Sequence, residues 1–259
     1  MTNIKDTLTK LLEKKISIEE AEKLLRANHI EEVGDLAKLD IFRRTRTGTP
    51  EVIFAPNKDT QMVLEITRKF LQSKQYAIIS RYNEAQKILL DKTFGKSEDY
   101  IIDISELGKI LVIKEKSYEF PVMKGIVGII TAGSSDIPIA VEAEVIAKVM
   151  GCKVITTYDV GIAGIHRIFS PLSEMIKRGV HVIIVCAGME GTLPGLVAAL
   201  VDVPVIGVPI SSGYGMGEKG KGALITMLQS CSPGLLVVNI DNGFGAGASA
   251  AIISNKIAE

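Results

Sequence analysis

The chain has 259 residues, 47% apolar and 23% charged, which is enough for one large domain or two modest ones with ample core. Basic and acidic residues number 30 each, so the formal net charge is zero and the broad attraction that nucleic-acid binders rely on is missing. Three cysteines with no Cys-x-x-Cys pair, and three dispersed histidines (His29, His166, His181), argue against a structural zinc site or a disulfide framework and fit a reducing cytoplasm.

In chain order, residues 2–14 read as an amphipathic helix without the apolar centre of a signal peptide. Ser17, Ile18, Glu19 and Glu20 make a capping box that opens a second helix running to about Asn28. Strands are expected at 52–55, 76–80 and 110–114, and helices at 59–73 and 83–90. Residues 1–120 thus read as a small α/β domain with short connections. From Val122 onward the texture becomes apolar strand, Gly-rich turn and helix, repeated. Strands at 126–131, 154–157, 181–186, 205–208 and 235–240 alternate with helices at 138–150, 171–177, 193–200 and 221–229 and a closing helix from Ala246. Strands apolar on both faces between helices predict a doubly wound parallel sheet over 121–259, with ligands gathering beyond its carboxyl ends. The longest apolar stretch, 196–210, contains Asp202, Pro204 and Pro209 and is no membrane span.

Each strand of the second half is followed by a segment with chemical potential. After the first come Gly133, Ser134, Ser135 and Asp136, whose hydroxyls and helix-start N–H groups suit a phosphate or ribose; the plain alternative is a helix cap. After the second, Asp159 precedes His166 and Arg167, which can contact phosphate or merely cap a helix and meet solvent. After the third, Gly188 and Glu190 stand between strand and helix. Burial there would push Glu190 toward base chemistry, whereas a first-turn glutamate favoured by the helix dipole is the alternative. After the fourth, a loop with Ser211, Lys219 and Lys221 carries four glycines in thirteen residues and can close over a ligand or be ordinary surface. Cys152 and Cys186 read as core. Cys231, on a Ser-Cys-Ser-Pro-Gly loop, is placed to react, and the run Gly243 to Gly247 after Asn242 lets backbone approach a ligand closely.

The order Ala-Gly-Ser-Ser-Asp, Gly-Ile-His-Arg, Ala-Gly-Met-Glu-Gly-Thr-Leu-Pro-Gly and Val-Pro-Ile-Ser-Ser resembles the PurE fold of N5-carboxyaminoimidazole ribonucleotide mutases and carboxylases, which is flavodoxin-like. The whole chain is closer still to the LarB family, pyridinium-3,5-biscarboxylic acid mononucleotide synthases of nickel-pincer cofactor assembly. Two segments carry that likeness: SCSPGLLVVNIDNGFGAG, and DIFRRTRTGTPEVIF with its spacing of Asp40, Arg43, Arg46, Gly48 and Pro50-Glu51-Val52. The resemblance implies an enzyme that adds a carboxylate from CO2 or bicarbonate to the pyridinium ring of nicotinic acid adenine dinucleotide and hydrolyses its phosphoanhydride to release AMP. It gives Cys231 the covalent role and Glu190 that of base. It makes Ser134, Ser135, Asp136, His166 and Arg167 the nucleotide surface, with Asp159, Gly188, Ser211, Lys219 and Asn242 completing the substrate site. Magnesium is expected beside the phosphates, with ligands no cluster in the sequence fixes, and a homo-octamer is expected by analogy. Arg43 and Arg46 either reach the adenylate half or brace the N-terminal half. A cytoplasmic enzyme with no nucleic-acid or membrane partner is the expectation. The rival readings are an aminoimidazole ribonucleotide carboxylase or mutase and a non-catalytic nucleotide-binding module.

Overall fold

A computed structural model describes residues 4–26, 31–33, 37–40 and 43–259 of the chain. They fall into two compact units, one of Met1–Ile104 with Leu111–Glu119, the other of Ser105–Ile110 with Phe120–Glu259.

In the first unit, α1 (Ile4–Leu12) and α2 (Ile18–Arg26) are amphipathic, and the Ser17 hydroxyl accepts the Glu20 N–H at 3.1 Å as the capping pattern requires. Asn28, the expected end of that helix, and His29 lie outside the described residues. A short antiparallel hairpin, β1 (Glu31–Val33) with β2 (Ala37–Leu39), and a single helical turn, α3 (Arg43–Thr47), have no periodic signature and were not expected. A four-stranded sheet follows, formed by β3 (Ile53–Phe54), β4 (Tyr76–Ser80), β5 (Tyr100–Ser105) and β6 (Ile110–Glu115) in the order β3-β4-β6-β5. Helices α4 (Thr60–Lys74) and α5 (Glu84–Phe94) begin at side-chain caps, Asp59 accepting from Met62 and Asn83 exchanging bonds with Gln86. Val63, Phe70, Ile79, Leu90, Leu111 and Ile113 pack between them.

The second unit alternates β7 (Ile126–Thr131), α6 (Ile137–Val149), β8 (Lys153–Thr157), α7 (His166–Lys177), β9 (Val182–Ala187), α8 (Leu193–Ala198), β10 (Val205–Pro209), α9 (Lys221–Leu228), β11 (Leu235–Val237) and α10 (Gly243–Ala258). Its five strands lie in the order β11-β10-β9-β7-β8, and every neighbouring pair is parallel. This is the doubly wound sheet the alternating pattern predicts. Every residue of β9 is buried, because both faces are covered. Ile168, Leu172 and Met175 of α7, Leu193 and Val197 of α8 and Met227 of α9 pack on one face around Ile183 and Val185. On the other, α6 and α10 pack against each other and against β7 and β9. After β7 the chain moves to one side for β8 and to the other for β9, so the loops following β7 and β9 part and leave a crevice between them.

Two boundaries differ instructively. Pro171 suggests a helix start, yet α7 begins at His166 and carries the proline inside it. The buried stripe Ile168, Leu172, Met175, at helical spacing, is the stronger instruction. Likewise α10 starts at Gly243, not at Ala246. The Gly243–Gly247 run has a packing reason of its own. A Cβ on Gly247 would stand 2.5 Å from the Ala143 carbonyl, and one on Gly243 would collide with that of Ile139, both on α6. These glycines let α10 and α6 approach closely. Gly247→Ala is therefore expected to lower unfolding stability by about 1–3 kcal/mol from overpacking, outweighing the roughly 1 kcal/mol that alanine gains as a helix former. Urea unfolding of the two proteins measures the difference.

Candidate active site

The loops beyond β7, β8, β9 and β10 enclose a cavity of about 380 Å3. Gly133, Ser135 and Asp136 come from the first loop, Asp159, Gly161 and Arg167 from the second, Gly188, Met189, Glu190 and Thr192 from the third, and Ser212, Gly213 and Tyr214 from the fourth. Hydrogen bonds from the N–H of Asp159 to the Thr131 hydroxyl (3.0 Å) and of Val160 to the Thr131 carbonyl (3.0 Å) lash the β8 loop to β7. Asp159 (φ 56°) and Met189 (φ 51°) adopt left-handed backbone that costs a non-glycine residue about 1–3 kcal/mol. Strained residues of this kind cluster where a chain must present groups to a ligand.

Asp136 anchors the cavity. It is only 2% exposed. Its Oδ2 accepts the Gly133 N–H at 2.8 Å, closing the turn that carries it. Its Oδ1 is buried and makes no well-formed hydrogen bond, although the Gly188 amide and the Ser135 and Ser212 hydroxyls lie close to the carboxylate. Burial raises its pKa above the usual carboxylate range, offset in part by the Gly133 and Gly188 amides and the Ser135 and Ser212 hydroxyls. A Cβ on Gly188 would come within 3.2 Å of Ser212 Oγ and 3.4 Å of Asp136 Oδ1, so a side chain there would fill the space in front of the free oxygen. The arrangement calls for a ligand hydroxyl or N–H that donates to Oδ1.

Across the cavity, Arg167 donates from Nη1 to the Asp159 carboxylate at 3.1 Å and from Nε to the Gly164 carbonyl at 3.4 Å. The ion pair is exposed, so its worth is in aiming the guanidinium rather than in stability. Ser212 and Ser135 lie hydroxyl to hydroxyl at 3.3 Å, joining two loops that are far apart in sequence. A guanidinium and two hydroxyls facing a buried carboxylate can receive a phosphate on one side and sugar hydroxyls on the other.

Of the residues expected in the site, Ser135, Asp136, Asp159, Arg167, Gly188 and Glu190 line this cavity. Ser134 and His166 are exposed outside its lining. Ser211 is also outside it; its N–H bonds to Asp241 Oδ1 at 2.8 Å, and the neighbouring Ser212 faces in. The two serines stand in a turn after β10, and the sequence does not say which of them faces the cavity. Lys219 is exposed on the β10 loop away from the cavity. Asn242 is a helix cap, its side-chain oxygen taken by the Gly245 N–H at 2.8 Å. Glu190 is exposed at the rim of the cavity. Thr192, Gly161 and Tyr214 line the cavity unheralded by any motif chemistry.

Cys231 is the main departure. Cys152 and Cys186 are buried, and burial raises both thiols, that of Cys152 to about 11. Cys231 is exposed. It lies just before β11, whose first residue pairs with the start of β10, so it belongs to the amino edge of the sheet. There it lines a second cavity, a groove of about 570 Å3 between α8 and α9 that shares only Thr192 with the first. Cys231 and Glu190 thus line different cavities, although the groove of Cys231 is bordered by Gly191 and Thr192, the residues next to Glu190.

In the first unit, Arg43 pairs with Glu51 at 3.2 Å and Arg46 with Asp40, while Lys74 donates to the Asp40 carbonyl at 3.2 Å. Burial lowers the Lys74 pKa to about 8 against the pull of Glu51 and Asp40. The two arginines brace their own unit. No group of three or more His, Cys, Asp or Glu able to hold a metal occurs among the described residues; a magnesium ion carried on substrate phosphates needs only one or two protein carboxylates.

Asp136→Asn tests the reading of the cavity. A raised native pKa means that wild-type stability is full below the unfolded-state value and falls as pH rises through the native one. The asparagine variant is expected to lose that slope and, at pH 7, to melt about 2–4 °C higher, the effect of roughly 1 kcal/mol in a chain of this size. Thermal melts from pH 4 to 8 give the comparison.

Comparison with known proteins matches the second unit in sequence to the AIR carboxylase family over residues 126–259, and residues 30–115 to the LarB/PurE-like N-terminal domain. An uncharacterized protein of Methanocaldococcus jannaschii is 46% identical over 252 residues, 97% of each chain. N5-carboxyaminoimidazole ribonucleotide mutase of Pyrococcus horikoshii is 38% identical over 129 residues, 48% of this chain and 68% of that one. Phosphoribosylaminoimidazole carboxylase of Saccharomyces cerevisiae is 31% identical over 135 residues, 51% of this chain and 23% of that one. No helix among the described residues is long and apolar enough to cross a membrane. With both halves matched in order, the chain belongs to the LarB family, carboxylase-type enzymes whose second domain is PurE-like.

Proposed function

We propose that the chain carboxylates the pyridinium ring of nicotinic acid adenine dinucleotide and cleaves its phosphoanhydride, yielding pyridinium-3,5-biscarboxylic acid mononucleotide and AMP. The observation that carries this reading is the union of a LarB/PurE-like N-terminal domain with an AIR carboxylase domain in one chain. The mutase from Pyrococcus horikoshii aligns with only 48% of this chain. The exposed Cys231, beside two buried and inert thiols, adds to it.

The chemistry follows from the ring. A pyridinium is too electron-poor to attack CO2. The Cys231 thiolate adds to ring carbon 4, and the displaced π electrons neutralise the ring nitrogen, leaving an enamine-like dihydropyridine. Carbon 5 is now nucleophilic and forms a bond to the carbon of CO2, making a carboxylate and an iminium. Glu190 takes the proton from carbon 5, which returns electrons to the ring. The nitrogen lone pair then expels the thiolate with its bonding electrons, and aromaticity is restored. Charge and atoms balance without an oxidant. At the other end, Arg167 and the Ser135 and Ser212 hydroxyls receive the mononucleotide phosphate, and Asp136 Oδ1 accepts from a ribose hydroxyl. Water cleaves the phosphoanhydride.

The test is incubation with nicotinic acid adenine dinucleotide, 13C-bicarbonate and magnesium, with products followed by mass spectrometry. AMP and a mononucleotide bearing one labelled carboxylate are expected. Cys231→Ala abolishes carboxylation, and Glu190→Gln lowers its kcat by about 10²–10⁴. Turnover of an aminoimidazole ribonucleotide instead would establish the purine-pathway rival, and binding of the dinucleotide without either reaction would establish a non-catalytic module.

A further inference from the structure

Resting on that carboxylase reading, we propose that Tyr214 reads the charge of the pyridinium ring: its aromatic face lies over the ring beside Glu190 and binds it as a cation. Among the described residues Tyr214 is the one aromatic side chain that lines the cavity. The acidic groups around it are otherwise engaged. Asp136 closes its own turn, Asp159 is paired with Arg167, and Glu190 has the proton to take. A planar aromatic cation is left with the negative face of a tyrosine, which attracts it within about 6 Å of the ring centre.

The β10 loop puts the ring where this role requires it. A Cβ on Gly213 would stand 3.0 Å from the Met189 nitrogen, and one on Gly217 3.5 Å from the Met189 carbonyl oxygen, so the loop lies along the residue that precedes Glu190. Tyr214 stands between those two contacts and shares the rim of the cavity with Glu190. Its own backbone is extended, and Gly215 after it takes a left-handed φ of 76°, which lets the chain turn sharply behind the ring. The side chain is 80% exposed, an apolar area that a flat ligand covers. Any apolar residue could cover a ring, but an aromatic face also distinguishes a pyridinium from an uncharged ring of the same shape. The ring is charged before the thiolate adds and after it leaves, and neutral between. Tyr214 therefore holds substrate and product more firmly than the adduct, and it acts on affinity and selection rather than on the chemical step. Uncharged dihydropyridine nucleotides, whose rings are too electron-rich to accept a thiolate, are thereby disfavoured.

Titration calorimetry with two probes decides the matter. One is nicotinic acid mononucleotide; the other is its benzene counterpart, 3-carboxyphenyl riboside 5′-phosphate, of the same shape but without the ring charge. The wild-type protein is expected to prefer the pyridinium by about 5–30-fold. Tyr214→Phe keeps that preference and Tyr214→Leu loses it, and with so exposed a side chain neither substitution disturbs the core. In turnover of nicotinic acid adenine dinucleotide, Tyr214→Leu raises KM by a similar factor while kcat does not fall. Equal affinity of the wild type for the two probes, or a preference that survives in Tyr214→Leu and so belongs to the carboxylates, would overturn the proposal. A second readout is independent of turnover. The chain has no tryptophan, so Tyr214→Trp introduces a single indole. Nicotinic acid mononucleotide stacked on that indole quenches its fluorescence, and the benzene counterpart does not. Undiminished emission at a concentration that calorimetry shows to be saturating would likewise overturn it. A wild-type protein that binds neither the mononucleotide nor the dinucleotide would instead overturn the functional reading beneath it.

Discussion

One carboxylate, held on one oxygen and open on the other, organises the second unit. Asp136 Oδ2 closes its own turn through the Gly133 amide, and that turn exists where β7 hands the chain to α6, beside the reversal of strand order. A buried acid with an empty oxygen is unfavourable for a folded chain. It persists because the parallel sheet, covered on both faces, fixes the loop around it regardless. The geometry of the other groups follows: Gly188 leaves room before the open oxygen, Ser212 reaches Ser135, and Arg167 is aimed by Asp159.

Stability and chemistry are separated along the strands. Their middles are continuous apolar segments whose burial supplies the stabilising energy. Left-handed backbone at Asp159, Met189, Glu218, Lys219 and Asp241 is confined to segments beyond their carboxyl ends. Strain is tolerated there because the strands beneath do not depend on it. The first unit is organised differently, with charge pairs such as Arg43–Glu51 bracing one edge and a compact apolar core around Phe70 and Leu111.

Legibility in the sequence followed the same division. Strands such as Tyr76–Ser80 and Ile126–Thr131 could be read directly, because uninterrupted apolar runs have few other destinations. β5 was missed because its side chains are only half-buried and its residues alternate weakly. The four cavity loops were found from motif and position, since a doubly wound sheet allows ligands few other places. Individual side chains were less legible. Which of Ser211 and Ser212 faces inward depends on the turn after β10, where the Ser211 N–H is held by Asp241, and Asn242 looks like a ligand group until the Gly245 amide is seen to occupy it. Cys231 was legible as a thiol apart from the core; its edge of the sheet was not, because that follows from the register of β11 against β10.

The seam between α6 and α10 bears on how the cavity comes into being. Asp136 leads directly into α6, and α6 rests on α10, which follows every other element of the chain. During synthesis the strands and the loop bearing Asp136 therefore leave the ribosome well before the helix that supports them from behind. The cavity loop thus depends on a helix remote from it in sequence, so that loosening the α6–α10 seam would loosen the seat of Asp136 as well.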